Sequence, residues 1–210
     1  MSDKPTFETR DLFREPAGPG FPERGIGRYA LLVSRAIDNF TRYTAYVFAS
    51  LTLILMLIIV HNVIMRYAFR SPTFWAYDLS YMLYGSAFML GAAVALLYGA
   101  HVRTDFLYQS WSQRTQGIVD TFLYLVLFFP AMYLFFDAGV DYAARSWALG
   151  ERGFASTWRP VIYPLKTVIP VAIALLMIQG VSETIKSLYA AITGRWPPTA
   201  LAHESPPPVG

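Results

Sequence analysis

The sequence has no cysteine, only three histidines, and few charges: 17 basic and 14 acidic residues among 210. Without cysteine there is no disulfide framework, no thiolate metal site and no indication of redox compartment. Charged residues make up 15% of the chain against 55% hydrophobic ones, far from the quarter or so found in a soluble domain. Also missing are a serine or histidine set in a nucleophile signature, a glycine-rich phosphate loop and any metal-ligand spacing. Catalysis has no visible seat, so the chain reads as no enzyme and as needing no cofactor. Basic runs interleaved with stacking aromatics are absent as well, which excludes nucleic acid as a partner. The net charge of +3 suits contact with anionic lipid headgroups instead.

What the sequence does have is long apolar runs. Residues 43–65 carry no charge between Arg42 and Arg66, long enough for roughly 30 Å of hydrocarbon at about 1.5 Å of rise per residue. Residues 78–100 form a second run opened by Asp78. A third, 117–140, must carry Asp120 and Asp137 into the headgroup layers, and Pro130 in its middle predicts a kink. A fourth, 164–188, has Lys166 and Pro170 near its start and Glu183 before its end. All five tryptophans, Trp75, Trp111, Trp147, Trp158 and Trp196, fall outside the apolar centres, where indole favours the membrane interface.

The expected fold is an all-α integral membrane protein with four transmembrane helices and short amphipathic helices in the interface. Residues 1–42 read as a polar, disordered tail that lacks the pattern of a cleaved signal, 43–190 as the membrane domain, and 191–210 as a proline-rich tail. Interfacial helices are expected around Phe106, Leu107 and Trp111 and again from Asp141 to Arg159, with ordinary polar loops as the alternative. Asp141 and Arg145 have the spacing of a helical ion pair. Charge counting barely decides orientation, because Arg28, Arg35, Arg42, Arg103, Arg114, Lys186 and Arg195 on the termini side face Arg66, Arg70, Arg145, Arg152, Arg159 and Lys166 on the other.

Ala87, Gly91, Ala95 and Gly99 recur every four residues, a stripe that lets a helix of this chain or of a partner approach closely. His61 and His101 invite a haem, yet each ends a span, and consecutive spans run in opposite directions. They therefore lie near opposite membrane faces, too far apart for one iron. No carboxylate sits mid-helix, as it does in four-span multidrug exchangers. Glu183, following Gln179 and Ser182, either pairs across a buried interface or lies on an extension beyond the bilayer. Paired interrupted spans of the kind that build transporter cores are also lacking. A chain fitted to the bilayer but without machinery is most simply a subunit of something larger. The alternatives are a self-contained four-span channel or exporter acting as a homo-oligomer, and a haem-bearing anchor.

The run Trp75, Asp78, Leu79, Gly91, Ala92, Ala93, His101, Val102, Arg103, Thr104 and Asp105 resembles the small, DctQ-type permease subunits of tripartite ATP-independent periplasmic (TRAP) transporters. Asp78 stands where that pattern more often has glutamate. The later run Trp158, Arg159, Pro160, Tyr163, Pro164, Leu165, Lys166, Thr167, Val168, Ile169 and Pro170 is similar to the mannitol/chloroaromatic branch. The resemblance spans residues 43–188. It implies a bacterial inner-membrane protein with both termini cytoplasmic. Its implied partners are a large, DctM-type membrane subunit that holds the sodium and substrate sites, a periplasmic, DctP-type solute-binding protein, and membrane lipids. The small subunit is then a scaffold for import of a small organic acid. The outer loops, with Arg145, Arg152 and Arg159, become candidates for docking the solute-binding protein.

Overall fold

The computed structural model describes residues 26–71, 73–99, 111–153 and 157–197. Helix α1, Ile26–Tyr67, is 42 residues long, about 63 Å and twice the hydrocarbon thickness. Residues 26–42, read from sequence as part of a disordered tail, are helical. They are stabilised not by propensity but by a buried face packed on the last helix, described below.

Helix α2, Ala76–Leu97, is just long enough to span, and the buried Asp78 sits in its first turn, where the helix dipole favours a negative charge. It stops at Gly99, whose φ of 64° lies in the left-handed region that favours glycine. Gly99 therefore ends the helix, while Ala87, Gly91 and Ala95 of the small-residue stripe lie within it.

Helix α3 runs from Gln113 to Leu149. Ser112 caps its start, Oγ accepting from the amide of Thr115 at 3.3 Å. Residues Tyr124–Phe128 form a single π turn. Its cause is local, because Pro130 lacks an N–H and its ring crowds the carbonyl of Val126, so the ladder widens by one residue just before it. The distortion expected from Pro130 takes this form.

Residues 141–149 continue α3, which overturns the reading of 141–159 as a separate interfacial helix. Gly150, φ 56°, ends it. The chain then folds into a short hairpin in which Arg152 bridges Val161, with Gly153 N–H donating to Pro160 O at 2.7 Å and Ile162 N–H to Glu151 O at 3.2 Å. The interfacial helix expected around Phe106 and Leu107 lies outside the described residues. Helix α4, Tyr163–Thr193, carries Pro164 in its first turn, where no donor is needed, and closes on left-handed Gly194.

Helix α4 packs against each of the other three, and α1 also packs on α2. Two glycines make α3 and α4 fit. A Cβ on Gly117 would stand 2.5 Å from Ala191 N and 2.6 Å from Ser187 O, and one on Gly180 would meet the Phe128 ring. Elsewhere large apolar side chains face outward, among them Leu53, Met56 and Leu57 on α1 and Leu125, Leu127 and Leu134 on α3. In water such patches mark an interaction site, whereas in a bilayer they match the solvent. All four helices are long and apolar enough to cross a membrane.

These contacts give a paired expectation for thermal unfolding in detergent. Gly117→Ala forces two backbones apart and costs about 1–3 kcal/mol. Gly91→Ala, where an added Cβ meets nothing within 4 Å, is neutral or stabilising by up to about 1 kcal/mol. Equal effects of the two substitutions would contradict the packing described.

Candidate functional site

Ser34, Asp38 and Thr41 stand at helical three- and four-residue spacings on α1, and Gln179, Ser182, Glu183 and Lys186 do the same on α4. The two polar stripes meet. Lys186 is 0% exposed, Glu183 2% and Asp38 3%, so water screens none of these charges. Lys186 Nζ reaches Asp38 Oδ2 at 2.8 Å and Glu183 Oε1 at 2.7 Å. The Gln179 side-chain amide donates to Asp38 Oδ1 at 3.0 Å and Glu183 Oε1 at 3.1 Å, while Gln179 Oε1 accepts from Thr41 at 2.7 Å. Ser182 Oγ donates to Asp38 Oδ1 at 2.6 Å and lies 2.8 Å from Ser34 Oγ, from which it then accepts.

Burial of so many polar groups is tolerable only because they satisfy one another. Glu183 is thus buried at the α1–α4 interface and paired with Lys186, as the first of its two sequence alternatives has it. Lys186 had been counted as a boundary charge, and Asp38 had been assigned to the tail. The signal was present in the matched polar spacing of the two helices, but nothing in one sequence pairs a stripe near the start with one near the end.

The seam's depth follows from counting. At the other end of the molecule His61 stacks on Trp75, ring centroids 5.7 Å apart, and Thr73 Oγ1 donates to Asn62 Oδ1 at 2.6 Å. From Trp75 to Tyr98 is 23 residues, as is His61 back to Asp38. Asp38 therefore lies level with the end of α2, at the termini-side edge of the hydrocarbon.

The opposite edge is also tied. Lys166 and Glu151 form an ion pair, and Lys166 Nζ lies 3.9 Å from the Tyr142 ring centroid. The hydrogen bond from Lys166 holds the Glu151 carboxyl below the usual carboxylate range. Trp147 Nε1 donates to Thr167 Oγ1 at 2.8 Å, and its ring packs on Tyr163. Pro160 is buried against Gly153. The Trp158–Pro170 motif residues thus form the return limb of the hairpin and the first turns of α4. Arg145, 3.8 Å from Asp141 in an exposed pair, Arg152 and Arg159 all face outward. Arg159 does so with a left-handed φ of 47°. His101, Arg103 and Asp105 lie outside the described residues.

Ala87, Gly91 and Ala95 line a cleft of about 760 Å³ between α2 and α3, floored by Ile169, Ala172, Ile173 and Leu176 of α4. A Cβ added at Gly91 would meet nothing within 4 Å, so the stripe is loosely packed here, with α1 across a smaller opening on its other side. Among the described residues no group of three or more histidines and carboxylates could hold a metal ion.

Four apolar helices held by a buried polar seam define a multi-pass membrane protein. Residues 55–189, more than half of the chain, match the family described as tripartite ATP-independent periplasmic transporters, DctQ component, and the chain belongs to that family. It is a permease component of a transporter of the inner membrane, not an enzyme. It is also similar to the sialic acid TRAP transporter permease protein SiaT of Haemophilus influenzae (strain 86-028NP), at 30% identity over 83 residues. That match covers 40% of this chain and 13% of the relative's length. No solved structure matches the chain.

Lys186→Met leaves two carboxylates facing each other in a buried seam. The expected loss is about 3–5 kcal/mol, read as a lower unfolding midpoint in detergent, with Arg195→Met as the surface control. An unfolding midpoint equal to that of the control would show the seam to be hydrated and dispensable.

Proposed function

We propose that this chain is the stationary small subunit of a sodium-driven TRAP transporter that imports a small organic acid. It pairs with a large, DctM-type membrane subunit and receives solute from a DctP-type binding protein. The observation that carries this reading is the division of the molecule. Its polar groups are spent on locking α1 to α4, while the α2–α3 cleft and the outer faces of α1 and α3 stay apolar and uncovered. A locked bundle with open apolar flanks has the build of a scaffold, against which a moving domain can work. The Trp158–Pro170 run, with its likeness to the mannitol/chloroaromatic branch, favours a 2-oxo or hydroxy acid as cargo.

In this reading Ala87, Gly91 and Ala95 receive a helix of the large subunit, since small residues allow backbones to approach. Gly91→Leu fills the cleft and is expected to lower co-purification of the large subunit and uptake together, while the soluble protein still binds solute. Unchanged recovery of the complex and unchanged uptake would sink the assignment. Transport by the chain alone in vesicles would favour the self-contained channel or exporter instead.

The same reading puts both termini in the cytoplasm and the outer hairpin in the periplasm, where Arg145, Arg152 and Arg159 help dock the binding protein. The hairpin is suited to this because Glu151–Lys166 and the Arg152–Val161 bridge hold it in one shape. The chain has no cysteine, so Leu149→Cys reports its side directly and is expected to react with an impermeant maleimide from the periplasm. Reversing the three arginines is expected to weaken docking most at low salt, where exposed charges are least screened. Labelling only from the cytoplasm, or docking indifferent to charge, counts against the proposal.

A further inference from the structure

Arg42 is a cation without a partner among the described residues. It is partly buried, and its Nε is shielded from solvent and donates no hydrogen bond. Asp38, one turn away, is bonded instead to Lys186, Gln179 and Ser182. The Tyr98 hydroxyl lies within electrostatic reach of both Arg42 and Tyr46. By the counting above this cluster sits at the termini-side edge of the hydrocarbon, where tyrosine favours the headgroup layer.

Immediately toward the bilayer centre α1 and α2 stand apart. Ala45, Phe48, Ala49 and Thr52 on one side and Ala87, Gly91 and Val94 on the other enclose a slot of about 210 Å³. Four of the seven are alanine or glycine, which is what keeps it open. Arg42, Ala45, Ala49 and Thr52 follow one stripe of α1, and a helical side chain leans toward the N-terminus of its helix. Arg42 therefore stands one turn before Ala45, beyond the termini-side end of the slot. Thr52, the polar member of the wall, has its hydroxyl turned to Phe48 O at 3.4 Å. At about 210 Å³ the slot is too small for a helix of about 10 Å diameter.

A guanidinium without an acceptor among the described residues, set at headgroup depth beside an apolar slot, is complementary to one kind of molecule. We propose that Arg42 and the α1–α2 slot bind one anionic phospholipid of the termini-side leaflet, its phosphate on the guanidinium and one acyl chain against Ala45, Phe48 and Ala49 of α1 and Val94 of α2. Planar bidentate donors match a phosphate, and basic pockets between membrane helices are a recurrent form of lipid headgroup site. The bound chain fills space that the two helices leave empty, which makes the lipid part of the α1–α2 packing. The site does not depend on which solute the transporter carries.

The test uses the full chain in detergent, together with the large subunit where the two co-purify, and reads the unfolding midpoint as phosphatidylglycerol is added. Wild type is expected to be stabilised, and Arg42→Gln to need about ten- to a hundredfold more lipid for the same shift. Ala45→Leu, which keeps the cation but fills the slot, is expected to weaken the response as well, so a folding defect in one variant does not decide the matter. Inorganic phosphate alone should give no shift. Equal lipid responses in wild type and both variants would overturn the proposal. So would a full response to phosphate, or loss of the large subunit in Arg42→Gln with lipid stabilisation unchanged, which would make the acceptor a carboxylate of the partner.

Discussion

Lys186 holds two carboxylates on two helices, and the rest of the bundle depends on that arrangement. In hydrocarbon, and at its edge, a polar group that finds no partner inside the protein finds none at all. Asp38 and Glu183 can face one another only with Lys186 between them and Gln179 bridging both. Geometry so restricted allows one register of α1 against α4, since a shift of a single residue on either helix would rotate the donors away from their acceptors. Apolar packing alone does not impose such a register, because lipid tails and leucine side chains are equally good neighbours.

With α1 fixed on α4, the other helices take their places by shape. Gly117 and Gly180 bring α3 against the same central helix, and α2 lies against both α1 and α4. What remains is asymmetric. The termini-side half of the bundle is dense and polar inside, while the opposite half of α1 and most of α3 expose apolar side chains. The seam and the ties around Glu151 and Lys166 sit at opposite membrane edges, so α4 is pinned at both ends. A helix pinned in this way is a fixed post, which is the property a scaffold needs.

Span number and approximate position were legible in the sequence because they follow from solvent alone: a run without charges has to be in hydrocarbon. Helix ends were less legible, for a physical reason. Residues 26–42 look polar in isolation, yet they are helical because half of their polar groups are buried against α4 rather than solvated. The same blindness hid the seam. Asp38, Glu183 and Lys186 each look like a boundary charge, and only the fold brings residues more than 140 positions apart into contact. The stripe at Ala87, Gly91 and Ala95 was visible as a stripe, but whether it was filled could not be read from spacing. Gly99 had the right period and a different task, set by its backbone angle rather than by its size.

The unfilled spaces and the filled ones obey one rule. Where this chain must hold itself together it uses polar groups that satisfy one another completely, and such contacts have no affinity left for anything else. Where it is open, between α2 and α3 and between α1 and α2, the walls are apolar and the residues small. Openings of that kind suit hydrocarbon or a partner helix and offer nothing to a charged metabolite. The division separates holding from carrying: among the described residues, Lys186 of the seam and Lys166 of the outer tie are already engaged by carboxylates. In the proposed scaffold role, solute recognition lies with another component, and this subunit contributes the rigidity of the seam and the shape of its apolar flanks.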